Sequence, residues 1–296
     1  MKVTYTYSDK IFNVFLYTFV ILMGAVTLYP FLNVLAISFN QATDSIRGGI
    51  YLWPRKFTLI NYEEIFNYRN LVTGFYITSL RTIIGTVAGI LSSAMVAYVI
   101  SCREFVARKL VSTLFILTMY FSGGLIPEFM LVRQLGLMNN FLVYILPGLI
   151  SGWNVFVLRA YMDTLPESLK ESAKLDGAND LTIFFRVILP LCKPVIATVC
   201  LFIAVGQWNS WFDTFLYCSS NSALTTLQYE MLRILRDVTS ATSSNMYALS
   251  RNNVLRVTPD SIRMAITVMT TIPIVIVYPF LQRYFVKGLT LGAVKS

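Results

Sequence analysis

The sequence predicts an all-α integral membrane protein, because its composition is apolar, its charges are clustered and its uncharged runs are long. Of the 296 residues, 56% are hydrophobic and 13% are charged, and the mean hydropathy is +0.63. A soluble domain carries about a quarter of its residues as charges. A membrane-spanning helix needs about 20 mostly apolar residues, a length that the uncharged runs supply.

Six uncharged runs predict six membrane-spanning helices in one transmembrane domain, residues 1–296. The run that begins at Ile11 far exceeds the core of a signal peptide, about 7 to 15 apolar residues, so we expect it to remain as a helix. We expect a polar loop at 163–193 and a long outer loop at 218–260. The predicted helices cover approximately residues 11–39, 71–102, 108–130, 138–162, 193–217 and 261–285.

The basic residues of the short loops predict the orientation of the chain. One short loop contains Arg103, Arg108 and Lys109, whereas the next contains Arg133 alone. Because cytoplasmic loops are rich in Lys and Arg, we expect both termini to lie in the cytoplasm. The net charge of +9 therefore indicates basic cytoplasmic loops rather than nucleic-acid binding.

Glycine pairs within the predicted helices indicate close packing. Gly85 and Gly89 lie on one face of the second helix, and Gly148 and Gly152 lie on one face of the fourth. Small residues four apart let two helix backbones approach closely in lipid.

Two further features modify this outline. Gly123-Gly124 and Pro127 are predicted to end the third helix near the outer surface. In the outer loop 218–260, four apolar residues recur at the spacing of a short amphipathic helix. They are Leu227, Met231, Leu232 and Leu235.

The loop 163–193 is predicted to contain two short amphipathic helices on the inner membrane surface. Thr164 to Glu167 fits a capping box at the start of the first helix, and Gly177 is placed to end it. Asn179 or Asp180 can cap the second helix, which Pro190 is expected to break. The alternative from these residues alone is a surface helix pair without a protein partner.

This loop resembles the EAA loop of bacterial ABC importer permeases. Glu171-Ser172-Ala173 is followed by Gly177 and then by Ile188-Leu189-Pro190, with Ser172 in place of the usual alanine. Further matches extend over most of the chain and are similar to the maltose-permease type, in its subgroup for complex polysaccharides and oligosaccharides. They are Phe57-Thr58-Leu59, Asn61-Tyr62, Leu135-Gly136-Leu137, the segment 206–211, Tyr278-Pro279-Phe280 and the segment 288–295.

The resemblance implies an ABC importer type I permease fold in the bacterial cell membrane. It implies that the loop forms a coupling helix on a cytoplasmic ATPase, and that the tail 288–295 reaches the ATPase dimer interface. The partners would be a homologous second permease, two ATPase subunits and an extracellular solute-binding protein that delivers a carbohydrate. The implied ATPase-docking residues are Glu171, Ser172, Ala173, Asp176 and Gly177.

The chain itself is not expected to be an enzyme. It contains no G-x-x-x-x-G-K-[ST] segment, which is needed to cradle the phosphates of ATP, so ATP and Mg would be bound by the partner ATPase. Histidine is absent and the four cysteines form no CxxC pair, so we expect no metal site.

Three parts of the sequence supply candidates for the substrate pathway, namely Arg81, the pair Trp153 and Asn154, and the segment 207–213. A charge at the position of Arg81 costs about 2.5 to 3.5 kcal/mol in a membrane, so such residues usually face a cavity or a partner, although arginine near a helix end can also reach the surface. Trp153 and Asn154 place an aromatic ring beside an amide, a pair that suits sugars but is also common in packing.

The segment 207–213 combines aromatic and polar residues near the end of the fifth predicted helix. Helical spacing would place Asn209 with Asp213 on one face and Gln207 with Trp211 on another, and Trp208 belongs to the same cluster. The alternative is an aromatic belt at the membrane interface. In the resembling family the sugar can be held mainly by the partner permease, which would leave this chain few substrate contacts.

Two other classes of function are alternatives to an importer subunit. A self-sufficient ion-coupled secondary transporter or channel would need inverted repeats and broken helices around an ionisable site. A membrane-embedded enzyme would need acid–base or metal-binding residues, which this sequence lacks within its apolar runs.

Overall fold

A computed structural model describes residues 7–67, 69–237 and 257–293, with side chains described as far as Pro279. Over these ranges the regular structure is helical, with one isolated antiparallel bridge between Asn40 and Phe57. The chain divides into two compact units, Met1–Tyr68 with Arg233–Ile272 and Arg69–Leu232 with Pro273–Ser296.

The first unit begins with the long helix α1, Tyr7–Ser38, followed by the short helices α2, Ala42–Ser45, and α3, Ile60–Phe66. The most apolar 18-residue stretch of α1 contains no buried residue, as expected for a helix that is solvated by lipid. The segment after α1 is tied to its end, because the Asn61 amide donates to the backbone carbonyls of Ser38 and Asn40, at 2.9 Å each.

The second unit is organised around α4, Arg69–Ser101, which packs on α7, Gly152–Met162, and on α11, Lys193–Asn209. The predicted close approach at Gly85 and Gly89 is confirmed. A Cβ at Gly85 would lie 2.9 Å from the Gln207 side chain, and one at Gly89 would lie 3.3 Å from Ile203 of α11.

The prediction of close packing at the second glycine pair, Gly148 and Gly152, is confirmed only for Gly152. A Cβ at Gly152 would lie 2.9 Å from the Met119 side chain, so this glycine permits close packing on α5, Arg108–Tyr120. A Cβ at Gly148 would meet nothing within 4 Å. Gly148 lies outside a helix, so the spacing argument does not apply to it.

The third and fourth predicted helices are each interrupted in the structure, so the prediction that they are continuous is wrong. Helix α5 ends at Tyr120, and the next helix, α6, Leu125–Gln134, is bent by 117° relative to it. The bend arises because the chain is extended at Phe121 and Gly124 has a φ of 87°. Pro127 does not end a helix but lies in the first turn of α6, where its missing N–H is tolerated.

In place of the predicted helix 138–162 there are a 3₁₀ turn, Phe141–Tyr144, an irregular stretch and then α7. Pro147 lies in the irregular stretch, and a proline there removes a backbone donor that a continuous helix would use.

The loop 163–193 contains α8, Ser168–Leu175, and α9, Asp180–Ile183, which continues through the π-helical segment Phe184–Ile188 into α10, Leu189–Leu191. The chain bends by 84° between Leu191 and Lys193, so the expected break at Pro190 is wrong by two residues. The wider π-helical turn before Pro190 relieves the clash of its ring with the preceding carbonyls.

The fifth predicted helix is divided into α11 and α12, Phe212–Tyr217, because Ser210 is extended with a ψ of 126°. The short amphipathic helix predicted in the outer loop is confirmed as α13, 227–237, in which Leu227 and Met231 are buried. The last helix, α14, is Pro259–Ala293, so the sixth predicted helix is confirmed with longer ends.

The predicted count of six spans is not confirmed. In the described ranges, α1, α4 and the Asp260–Pro279 part of α14 are each long and apolar enough to cross a membrane. Two bent helix pairs raise the number to five when each pair is counted as one span.

Candidate functional site

A cavity of about 380 Å³ lies in the second unit between α4, α6, α7, α11 and α12. Charged and amide side chains line it together with aromatic rings. Its polar lining residues are Arg81, Glu128, Tyr144, Asn154, Gln207, Ser210, Asp213 and Tyr217.

Arg81 is the central residue of this cavity and is only 2% exposed. Its guanidinium forms a bidentate pair with Asp213, with Nη1–Oδ1 at 3.2 Å and Nη2–Oδ2 at 2.5 Å. Its Nε donates to Gln207 Oε1 at 2.9 Å, and its Cζ lies 4.5 Å from the centre of the Tyr144 ring. The positive charge is therefore compensated within the protein, and Arg81 does not snorkel to a surface.

The break at Ser210 brings Gln207 and Asp213 to the same guanidinium. Continuous helical spacing placed them on different faces, and this prediction is wrong because α11 ends at Asn209. Asp213 is fixed in place by a hydrogen bond from Ser210 Oγ at 2.9 Å and another from the Thr214 N–H at 3.0 Å. The short turn at Ser210 thus builds the acceptor side of the site.

The predicted pathway residues divide into two groups. Arg81, Asn154, Gln207 and Asp213 line the cavity together. The other four do not line it. Trp153 is 56% exposed, and Trp208 packs edge-on to Phe75. Asn209 donates to the carbonyl of Val205, and Trp211 packs edge-on to Phe212.

Four polar lining residues, Glu128, Tyr144, Ser210 and Tyr217, were not among the predicted site residues. Tyr144 lies under the guanidinium, and Glu128 lies in α6. Tyr144 carries no signal in the sequence, because it belongs to a stretch that was expected to be an ordinary helix. For Glu128, the available signal in the sequence was an isolated acidic residue between apolar runs.

A second candidate site is the surface of α8, which carries the residues implied to dock an ATPase. Exposed ion pairs connect this segment to the loop between α4 and α5. Lys174 Nζ lies 2.6 Å from Glu104 Oε2, and Arg103 Nη1 lies 3.1 Å from Glu167 Oε2. The hydrogen bond between Lys174 and Glu104 lowers the pKa of Glu104 and raises the pKa of Lys174.

Lys170 connects α8 to the end of α4 itself. Its Nζ donates to Ser101 Oγ at 3.3 Å and lies 5.4 Å from the centre of the Tyr98 ring. Ala173 packs against a core that includes Ile183 and Phe184 of the following segment. Helix α8 is therefore joined to the bundle by both polar and apolar contacts.

The opposite side of α8 is open. Of the implied docking residues, Glu171, Ser172, Asp176 and Gly177 are exposed, and Leu175 beside them is 89% exposed. Ala173 is the exception, because it is half-buried against the core.

Local chemistry fixes the ends of this segment, although not in every predicted detail. Gly177 ends α8 with a φ of 79°, and Asn179 Oδ1 accepts from the Thr182 N–H at 2.8 Å, so both predictions are confirmed. The predicted capping box is wrong. Thr164 Oγ1 instead donates to the Tyr161 carbonyl, and the Glu167 carboxylate is paired with Arg103.

A family model described as "Binding-protein-dependent transport system inner membrane component" matches residues 2–291, nearly the whole chain. The chain belongs to this family. The family is the permease component of ABC transporters, a non-catalytic subunit.

Individual relatives agree with this assignment. The chain is 35% identical over 290 residues to the polygalacturonan/rhamnogalacturonan transport system permease protein YtcP of Bacillus subtilis, covering 98% of this chain and 100% of that protein. It is 32% identical to the arabinooligosaccharides transport system permease protein AraQ of Halalkalibacterium halodurans, covering 92% of each.

A solved structure supports the same fold. One chain of a bacterial ABC transporter involved in the import of the acidic polysaccharide alginate matches with a TM-score of 0.83 and 29% identity. The match covers 95% of this chain and 99% of that chain. The helical architecture is therefore that of an ABC importer permease.

Proposed function

We propose that this chain is the membrane-spanning subunit of an ATP-driven, binding-protein-dependent importer of oligosaccharides or other complex carbohydrates. It forms half of the translocation pathway together with a homologous second permease in the bacterial cell membrane. Two ATPase subunits bind ATP and Mg, a solute-binding protein delivers the sugar from outside, and both termini of this chain lie in the cytoplasm.

The proposal depends on one observation, namely that a single helix connects the two candidate sites. Arg81 and Ser101 both belong to α4, and at about 1.5 Å per residue they are about 30 Å apart. Ser101 contacts Lys170 of α8, and Arg81 contacts Asp213 at the cavity. A displacement of α8 by an ATPase would therefore move the helix that holds the cavity together.

In this mechanism α8 is the coupling helix. Its exposed residues Glu171, Asp176 and Leu175 dock on the ATPase, while its contacts with Glu104 and Ser101 pass the movement to α4. ATP binding draws the coupling helices together and opens the pathway outward, and hydrolysis returns it inward.

Within the cavity the sugar is bound by groups other than Arg81. Arg81 uses Nε, Nη1 and Nη2 in contacts with Gln207 and Asp213, so its task is to position those side chains. The Asn154 amide faces the cavity with no hydrogen-bond partner among the described residues, and amides bind sugar hydroxyls well. Asn154 and Glu128 are therefore the proposed substrate contacts on this side of the pathway.

The test replaces Gly177 by valine in the assembled transporter. A Cβ at Gly177 meets nothing within 4 Å, but a φ of 79° is strained for valine, so the end of α8 should shift. We expect sugar uptake into proteoliposomes to fall while ATP hydrolysis continues. Gly136→Val is the matched control, because Gly136 has a φ of 68° and also has open space around it.

Unchanged uptake with Gly177→Val would contradict the docking role of α8. Uptake by this chain alone, driven by an ion gradient without ATP, would instead support the secondary-transporter alternative. The family assignment favours the importer over that alternative.

A further inference from the structure

An exposed aromatic loop follows α1 and has no role in the sites described above. Between Ile46 and Trp53 the loop presents large apolar side chains to its surroundings. Their exposed fractions are 67% for Ile46, 66% for Tyr51, 55% for Leu52 and 83% for Trp53.

The loop is folded back alongside α1. Gly48 and Gly49 have φ values of 66° and 73°, and this pair of left-handed residues reverses the chain. The Asn33 amide of α1 then donates to the carbonyls of Ile50, at 2.7 Å, and Tyr51, at 2.9 Å. Both amide protons of Asn33 are used to hold the loop beside the helix.

Side-chain hydrogen bonds and an ion pair also hold the loop. Arg55 Nε lies 3.0 Å from Asp44 Oδ2, and Arg55 Nη2 donates to the carbonyls of Asp44 and Gly48 at 3.1 and 2.7 Å. Asn40 donates to the same carboxylate at 3.1 Å and accepts from the Lys56 N–H at 2.8 Å. The exposed side chains are thus presented by a fixed backbone.

The position of Asn33 along α1 determines the depth of the loop. Lys10 is the last charged residue before the apolar run, and Asn33 lies about 35 Å beyond it at about 1.5 Å per residue. A tilt of about 20° shortens this to roughly 32 Å along the membrane normal. The hydrocarbon core is about 30 Å thick, so Asn33 lies at the opposite membrane interface.

We propose that the segment 46–53 is an anchor that binds the phospholipid interface at this end of α1. Trp and Tyr favour this depth because their rings are apolar and their N–H and O–H groups remain near water. The apolar surface continues onto α1, where Leu28 is 55% exposed and Phe31 is 64% exposed. Exposed Arg47 and Lys56 flank the aromatic residues and suit lipid phosphates.

The experiment measures the depth of residue 53 by electron paramagnetic resonance in phospholipid nanodiscs. The four native cysteines are replaced by serine in the full chain within its complex, and Trp53→Cys carries a nitroxide label. Phe19→Cys, in the middle of α1, is the lipid reference. Glu63→Cys, at an exposed carboxylate on α3, is the water reference.

The measured quantity is the ratio of collisions with oxygen to collisions with a water-soluble nickel chelate. We expect this ratio to be several-fold higher for the label at 53 than for the label at 63. An oxygen-to-nickel ratio equal to that at 63 would overturn the proposal. So would a label that is shielded from nickel only after the solute-binding protein is added, because this would identify a protein docking surface instead.

A second measurement keeps the native cysteines. Lipids brominated near the headgroup should quench a larger fraction of the fluorescence of the native chain than of Trp53→Phe. The reason is that the Trp53 ring would lie close to the bromine atoms. Equal fractional quenching of the two proteins would contradict the anchor even when the labelled variants fail to assemble.

Discussion

Ion pairs organise both the cavity and the α8 segment, but they differ in burial. Arg81 is 2% exposed and its partner Asp213 is 22% exposed, whereas Lys174 and Glu104 are 43% and 81% exposed. Removing one partner of a buried pair leaves an uncompensated charge, while water screens an exposed pair. Removing one partner of the cavity pair should therefore cost much stability, whereas removing one partner of the exposed α8 pairs should cost little.

The largest effect is expected from Asp213→Ala. Arg81 would remain buried without its carboxylate, which costs about 3 to 5 kcal/mol, so the melting temperature in detergent should fall markedly. Glu128→Gln is the control, because Glu128 lines the same cavity but has no ion pair among the described residues. It should leave the melting temperature nearly unchanged.

The double variant Arg81→Met with Asp213→Leu sharpens this prediction. Two apolar side chains leave no buried charge, so much of the lost stability should return. A double variant as unstable as Asp213→Ala would mean that packing at these positions, rather than the charge, sets the stability.

A smaller loss of stability is expected from Gly152→Val. Its Cβ would lie 2.9 Å from the Met119 side chain and 3.1 Å from the Phe115 carbonyl, and overpacking of this kind costs about 1 to 3 kcal/mol. The matched variant Gly148→Val has open space and should unfold at the native temperature. Equal melting temperatures for the two variants would contradict the packing of α7 on α5.

The sequence predicted features that depend on neighbouring residues and missed those that depend on distant ones. The uncharged run of α4, the stop at Gly177 and the cap at Asn179 follow from local chemistry. The capping box at Thr164 failed because Arg103, far away in sequence, takes the carboxylate of Glu167.

The cavity illustrates the same limit. Arg81 was a candidate because a charge in an apolar run is costly, but its partners lie 126 and 132 residues away. No proline or glycine stands at 210 to signal that α11 ends there. Spacing along one continuous helix therefore separated Gln207 from Asp213, although the folded chain brings them together.

The smallest effect on stability is expected at the exposed pair of Lys174 and Glu104. The pKa of Glu104 is lowered, so its contribution is complete above its unfolded pKa of about 4.3 and is lost as the pH falls through the lower folded value. The pKa of Lys174 is raised, so its contribution is complete below about 10.4 and is lost as the pH rises through the higher folded value.

Between these limits the pair is intact, and its loss should affect coupling rather than folding. We expect Glu104→Gln to leave the melting temperature at neutral pH almost unchanged and to lower the sugar transported for each ATP hydrolysed. A melting temperature that falls as far as in Asp213→Ala would contradict the contrast between the two sites.

The central claim is that α4 carries movement from α8 to the Arg81 cavity, and thiol labelling in the assembled transporter tests it most directly. With the native cysteines replaced by serine, Asn154→Cys reports access to the cavity. Its labelling rate should change when a non-hydrolysable ATP analogue is added, and Lys170→Ala with Lys174→Ala should abolish that change while nucleotide binding persists. An unaltered nucleotide response in the variant that lacks both lysines would contradict the claim.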